Sequence, residues 1–316
     1  TLLDNYFEEQ VRVKLLNSFR LHEINDLNDK VFDGAVVHAM IISYINDHTD
    51  AYDVKVNISP NLYGEHHLIP VGFFNLQDYH MISIRSYMMK DLMTKISLGS
   101  TPLNQILDIR QAIKSGNDKL YITGFKENDN CKPILRGKDI GRFSMINPNL
   151  YIKYGSHLAC PRHSYIFEQP KILIREAGAK ITATFDNENF YIMSSLYNAI
   201  LIDNRFSLKY LLGILNSSLI QFLMNKLTFE KTSGAFTKAK IYHYYGLPIH
   251  KASNQEPLIR LVEKILKIKK TNPKSDTSEI ENQIDLLVYK LYNLIYDEVL
   301  IVDPETPITR EDYEQM

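Results

Sequence analysis

Two stretches of this 316-residue chain gather side chains that could hold an anionic polymer. The first, Arg136-Gly137-Lys138-Asp139-Ile140-Gly141-Arg142, sets three cations around two glycines, and a backbone without Cβ lets a phosphate come close. The second, Glu230–Lys240, carries Lys231, Lys238 and Lys240 with the hydroxyls of Thr232, Ser233 and Thr237. Lys and Arg neutralise phosphates and release counterions, which gives affinity without sequence choice. Reading a base edge needs Arg, Lys, Asn, Gln, Ser or Thr presented to a groove. Lys132, Arg162 beside His163, and Lys180 complete the set. Roughly half of these cations are expected to touch the polymer and the others to be solvated surface.

The charge distribution agrees with that chemistry. The whole chain has a net charge of −1, but Lys132 to Lys251 holds 16 Lys and Arg against 7 Asp and Glu, a net of +9, while each flank nets −5. A basic module between acidic ones suits a polyanion, although chance clustering on a solvated face would look the same. With 45% hydrophobic and 23% charged residues the chain is a folded, globular one. No apolar run approaches the ~20 residues that span a bilayer, so no membrane is expected. The start, Thr1-Leu2-Leu3-Asp4, has no basic region of a signal peptide and no initiator Met, so a fragment of a longer protein is expected.

Other chemistries fall short. Cys131 and Cys160 read as free thiols of a reducing cytoplasm and lack zinc-ligand spacing. His66-His67 reads as a loop pair without further ligands, so no metal site is expected. Lys180, Asp186 and Glu188 lack the order of a metal-dependent nuclease, and Asp186-Asn187-Glu188-Asn189 reads as a hairpin turn. Cys160 with His163 is an incidental pair, not a nucleophile and base. Tyr242, Tyr244 and Tyr245 could stack on bases, but packing in a strand is the expected role.

The elements that must position these residues indicate an α+β fold. Residues 1–50 read as helix, strand, turn, strand, with Val36–Ile45 an apolar run buried on both faces, the tail of an α/β sheet. Residues 51–97 read as a linker with helices. Residues 98–250 read as a helix, Leu103–Ile113, then short strands (Leu120–Phe125, Leu150–Tyr154, Ser164–Phe167, Lys171–Arg175, Ile181–Asp186, Phe190–Ser194), a helix over Leu208–Phe222, and a strand over Ile241–Ile249. Residues 251–316 read as a helical segment, with Leu258 to Ile268 on one amphipathic helix and Ile280 to Ile295 on another, Ser278 its N-cap.

At this level the chain resembles a known family. AIKSGNDKLYITG (Ala112–Gly124), KPILRGKDIGRF (Lys132–Phe143), YIKYG (Tyr151–Gly155), QPKILIREAGAKITATFD (Gln169–Asp186), LKYLLGILNSSLIQFL (Leu208–Leu223) and YGLPI (Tyr245–Ile249) follow in the order of a TaqI-like specificity domain. ENQIDLLVYKLYNL (Glu281–Leu294) resembles the C-terminal helix of such enzymes, and Leu21–Ile45 the last strand pair of an adenine-methyltransferase catalytic domain. Each motif is soft; their number and order make the match. The family's Asn/Asp-Pro-Pro-Tyr/Phe signature and Gly-rich cofactor loop are absent from this sequence, and Asn147-Pro148-Asn149-Leu150 reads as a turn.

The resemblance implies the C-terminal part of an adenine-specific DNA methyltransferase, or of a type IIG-like restriction-modification enzyme. It would be a mixed target-recognition domain preceded by a remnant of the methyltransferase sheet and followed by a helical segment. The chain would bind double-stranded DNA beside an upstream catalytic domain of the same polypeptide, in the cytoplasm. It would hold no cofactor and no catalytic residue. S-adenosylmethionine, and Mg²⁺ if an upstream nuclease exists, would belong to the parent. The DNA-binding residues would be Lys132, Arg136, Lys138, Arg142, Arg162, Lys180, Lys231, Thr232, Ser233, Lys238 and Lys240. The alternatives are a specificity subunit of a multisubunit type I-like system, and a domain that binds an acidic protein through its basic surface.

Overall fold

The structure, a computed structural model, describes residues 9–26, 40–47, 51–58, 66–75, 90–227 and 239–315. The chain divides into two compact units, residues 1–94 and 95–316.

The first unit is built on a four-stranded sheet. Strand Arg20–Asp26 follows helix Glu9–Ser18 and pairs antiparallel with Met40–Ile45 and parallel with Asp53–Ile58, which pairs antiparallel with His66–Pro70. Alternation explains the inner strand: Val54 and Val56 point to one face and are fully buried with Leu21, Ile24 and Ile69. The sequence expectation of a strand buried on both faces is corrected here. Among the described residues Met40–Ile45 is an edge strand, and Ile41 and Ile45 are 47% and 41% exposed; residues 36–39 lie outside the described ones. Its neighbours come partly from the span read as a helical linker, because Asp53–Ile58 and His66–Pro70 are strands. His66 and His67 lie in a strand, not a loop.

The second unit holds two four-stranded sheets. One runs in the order Tyr191–Ile192, Cys131–Leu135, Tyr151–Lys153, Ile122–Thr123. The other, fully antiparallel, runs Ala183–Asp186, Lys171–Arg175, Leu196–Leu201, Leu107–Gln111. Ile134, Ile152 and Ile192 of the first meet Leu173, Leu196 and Ile200 of the second in one buried core. Two 2-stranded pairs, Ile140–Gly141 with Ser144–Met145 and Thr101–Pro102 with Pro248–Ile249, accompany the sheets, with isolated bridges Ile113–Met193 and Lys114–Cys160. Helix Leu208–Leu215 packs on the second sheet and on helix Glu256–Thr271, which forms a hairpin with Ser278–Leu291. Helices Tyr296–Val302 and Arg310–Glu314 end the unit. The fold is α+β.

Several expected elements change type for local reasons. Leu103–Ile113 is a 3-10 turn, Leu103–Gln105, and then a strand, since Leu107 and Ile109 alternate into the core while Arg110 and Gln111 stay exposed. Leu120–Phe125 starts in the helical turn Asp118–Tyr121 and holds a strand only over Ile122–Thr123, and Ser164–Phe167 is a 3-10 turn over Ser164–Ile166. Ile241–Tyr245 is a helix, so its tyrosines do not pack in a strand. Asp186–Asn189 is a turn, but it links strands of the two different sheets and closes no hairpin. The expected single helix over Leu208–Phe222 is two, Leu208–Leu215 and Ser218–Leu227. Asn216 breaks it: its side-chain oxygen accepts from Ala183 N at 3.1 Å and its nitrogen donates to Ala183 O at 3.0 Å, like one residue of an added strand. Thr277, not Ser278, stands at the N-cap of the next helix.

Candidate nucleic-acid interface

Strand Leu107–Gln111 forms one edge of the second sheet. Arg110 stands half-exposed on it, its Nε donating to Asp108 Oδ2 at 2.6 Å. Facing the strand is the turn Cys160–His163, pinned by two backbone bonds between Lys114 and Cys160, of 2.9 and 3.1 Å. Arg162 occupies this turn with φ 63°, a left-handed backbone rare in a long side chain and kept only where surroundings enforce it. They do so: Tyr154 donates its hydroxyl to Arg162 O at 2.6 Å, and Arg162 Nε donates to Ala112 O at 3.2 Å. The guanidinium also reaches Gln111 Oε1 from Nη2 at 3.4 Å. Tyr165, on the following 3-10 turn, and Tyr245, ending helix Ile241–Tyr245, are 52% and 42% exposed. Together these residues line a cavity of about 680 Å³. It is cationic, aromatic and open, with Asp108 its one carboxylate.

The same helix leads to a second, smaller cluster. Ala239 donates to Glu176 O at 3.0 Å and accepts from the Tyr197 hydroxyl at 3.1 Å, which fixes where the polar stretch rejoins the described chain. Lys240 follows, half-buried, at the N-terminus of the helix. Lys180 and Arg175 line a cavity of about 40 Å³ with Ala239 and Tyr244. Arg175 donates to Ile140 O, its Nε is buried with no partner among the described residues, and burial pulls its pKa below the usual arginine value. Thus Arg162, Lys180 and Lys240 border clusters that share the segment 239–245.

The Arg136–Arg142 turn is built differently. Arg136 N donates to Asp139 Oδ2 and Gly137 N to Ser195 Oγ, both at 2.8 Å. A Cβ on Gly137 would lie 3.2–3.3 Å from Ser195 atoms, so this glycine serves an internal approach. Arg142 donates to Glu281 Oε2 from Nε at 2.9 Å and from Nη2 at 2.7 Å, tying the turn to helix Ser278–Leu291. Lys132 lies 3.9 Å from Glu168. Lys138 is exposed and has no ion pair with a described residue. Lys231, Thr232, Ser233 and Lys238 lie outside the described residues. Arg110, Gln111 and Tyr165 were not among the sequence candidates. The alternation in Leu-Asp-Ile-Arg-Gln carried the signal, and the helical reading of that span hid it.

Among the described residues no three His, Cys, Asp or Glu are placed to hold a metal, and no helix is long and apolar enough to cross a membrane. Cys131 and Cys160 are free thiols.

Residues 132–249 match the TaqI-like C-terminal specificity domain family. No curated protein matches the chain by sequence. Among solved structures, the type IIL restriction-modification enzyme MmeI in complex with DNA is similar at 11% identity and a TM-score of 0.46, covering 100% of this chain and 49% of that one. The type IIG restriction endonuclease BpuSI is similar at 13% identity and 0.45, covering 97% and 47%. The HsdS subunit from Thermoanaerobacter tengcongensis is similar at 15% identity and 0.36, covering 66% and 52%. The chain thus spans about half the length of MmeI and BpuSI.

Proposed function

We propose that this chain, which carries a TaqI-like C-terminal specificity domain over residues 132–249, is the DNA-recognition module of a restriction-modification system. The family match carries the reading. The net +9 of residues 132–251 supplies the affinity for phosphates that any such module needs. In this reading the parent is an adenine-specific methyltransferase of the cytoplasm, with or without a nuclease. It flips its target adenine out of the duplex while this chain holds the site. The first-unit sheet would be the end of that catalytic domain, and the preceding part of the same polypeptide its partner.

S-adenosylmethionine would supply the methyl group to the parent. The residues here do not fit it: the sequence has no Gly-rich loop after a strand and no Asn-Pro-Pro-Tyr. Mg²⁺, if the parent cleaves, belongs to upstream residues as well. This chain's share of the chemistry is therefore binding and orientation. The test is fluorescence anisotropy of a labelled random duplex titrated at several salt concentrations. Binding that weakens linearly in log[salt], with no methyl transfer from labelled cofactor by the chain alone, is the expected result. Absence of binding at low salt would overturn the reading and favour an acidic protein partner.

A further inference from the structure

The cleft along strand Leu107–Gln111 has the chemistry of a grip on paired acceptors. Its key side chain is Arg162, whose guanidinium is held by Ala112 O through Nε and by Gln111 Oε1 through one Nη2 hydrogen. Those contacts use two of five donors and fix the plane, leaving the remaining N–H groups as an oriented fork. Its exposed position places that fork at solvent. Gln111 accepts from Arg162, so its amide N–H groups remain to donate outward beside the fork. Arg110, tethered to Asp108 two residues earlier on the same face, adds a second cation.

The walls fit the same ligand. Tyr165 and Tyr245 present exposed rings on the walls of the cleft. His163 lies 6.1 Å from Tyr165, ring centre to ring centre. Exposed aromatic rings beside planar cations suit sugar and base faces as well as phosphates. A cavity of about 680 Å³ exceeds what one side chain of a protein partner fills. The backbone strain at Arg162 is accounted for if the turn exists to present this side chain.

We propose that this cleft, with Arg110, Gln111, Arg162, His163, Tyr165 and Tyr245, is where the chain engages duplex DNA, Arg162 and Gln111 presenting paired donors to two acceptor atoms. The acceptors are either two oxygens of one phosphate or the O6 and N7 of a guanine. The proposal rests on the DNA-recognition reading and adds the place and the residues.

Anisotropy with labelled duplexes separates the two. Arg110→Ala and Tyr165→Ala alter exposed side chains, Gln111→Ala also removes one hold on the Arg162 guanidinium, and each is expected to weaken binding about 5- to 30-fold. Arg162→Ala is expected to lose more, and Arg162→Lys to recover only part, because an ammonium cannot form the fork. Lys267→Ala, on an exposed helix face away from the cleft, is the control expected to leave binding unchanged. Melting temperatures of all variants identify any loss due to unfolding of the turn. Equal loss on every duplex, with a shallower salt slope, assigns the acceptors to phosphate; loss confined to duplexes bearing one G·C pair assigns them to guanine. If the unmutated chain binds duplex in a salt-dependent way while the Arg110, Gln111 and Tyr165 variants match the control, the cleft is not the site and the proposed function stands without it. If the unmutated chain binds no duplex, the proposed function itself fails.

Discussion

Asp285 caps a helix to which it does not belong: its carboxylate accepts from the backbone N–H of Ser218 at 2.7 Å and from the Ser218 hydroxyl at 2.8 Å. Ser218 begins helix Ser218–Leu227, whose first amides have no intrahelical acceptor. Helix Ser278–Leu291 thereby positions the helix that leads into the polar stretch 228–238. One carboxylate thus ties the C-terminal hairpin to the start of helix Ser218–Leu227.

That carboxylate should make stability depend on pH. Burial pushes Asp285 up to about 6 from 3.8, with Asp303 adding to the rise and the Ser218 bonds and Arg142 opposing it. A carboxyl whose folded pKa is raised contributes stability that is fully present below the unfolded value and is lost as pH rises through the folded one. The window is therefore about 3.8 to 6. Two units correspond to on the order of 3 kcal/mol, an upper figure for one group. Asp285→Asn keeps an acceptor for Ser218 without titrating. The unfolding free energy of the unmutated chain minus that of D285N should fall by about 1–3 kcal/mol between pH 4 and pH 7.5. A difference that is flat over this range would disprove the buried-carboxyl assignment.

Much of this architecture was legible in sequence, and the misreadings have physical sources. Lys171–Arg175 and the amphipathic Glu256–Thr271 announce themselves by their own periodicity, and local period survives in any tertiary setting. Leu208–Phe222 also reads as one helix, because nothing local reveals that the Asn216 amide will bond the Ala183 backbone. Strand Leu107–Gln111 exists through its five-residue pairing with Leu196–Leu201, a partner about ninety positions away. The Arg136–Arg142 glycines look alike in sequence whether they open to a phosphate or, like Gly137, close onto Ser195. Charge totals locate a basic region but not the partners of each cation: Arg142 meets Glu281, from an acidic flank.

The pair Lys171–Asp186 should be costly to break. Both side chains are fully buried, with Nζ and Oδ2 2.5 Å apart. Lys171 also donates to Phe167 O at 2.6 Å, and Asp186 accepts from Glu188 N and Phe190 N. Removing one partner leaves the other charge buried and uncompensated, typically a loss of about 3–5 kcal/mol. Lys171→Met should lower the urea midpoint accordingly. Asp186→Asn should cost less, because its amide oxygen can still accept from the turn. Equal losses would show that the charge pairing alone sets the cost and that the bonds to the turn add nothing.

Gly213 permits the approach of helix Leu208–Leu215 to helix Glu256–Thr271. A Cβ there would lie 3.0 Å from Val262 Cγ2 and 3.1 Å from Leu258 Cγ. The higher helix propensity of Ala, worth up to ~1 kcal/mol, competes with this overpacking, which costs about 1–3 kcal/mol. Gly213→Ala is expected to be net destabilising by roughly 1 kcal/mol, and combining it with Val262→Ala should recover part of the overpacking loss. Thermal unfolding of the three variants checks this, and a stabilised Gly213→Ala would mean that the helices shift apart freely.

Arg142 is expected to act on stability and on Asp285 together. Its guanidinium is 27% exposed, Glu281 is 21% exposed, and two of its nitrogens share one carboxylate oxygen. A partly buried contact of this kind couples by about 1 kcal/mol, which a double-mutant cycle of Arg142→Met with Glu281→Gln should return. The positive charge of Arg142 also holds down the pKa of Asp285. Losing it should move the Asp285 transition upward in pH, so that R142M keeps its acid-side stability to a higher pH than the unmutated chain. Paired unfolding curves across pH 4 to 8 for the unmutated chain, R142M and R142M/D285N resolve the two effects. The upward shift must appear in R142M and vanish in R142M/D285N, since only Asp285 can report it. A shift that persists without Asp285 would assign the titration to another carboxyl and detach Arg142 from it.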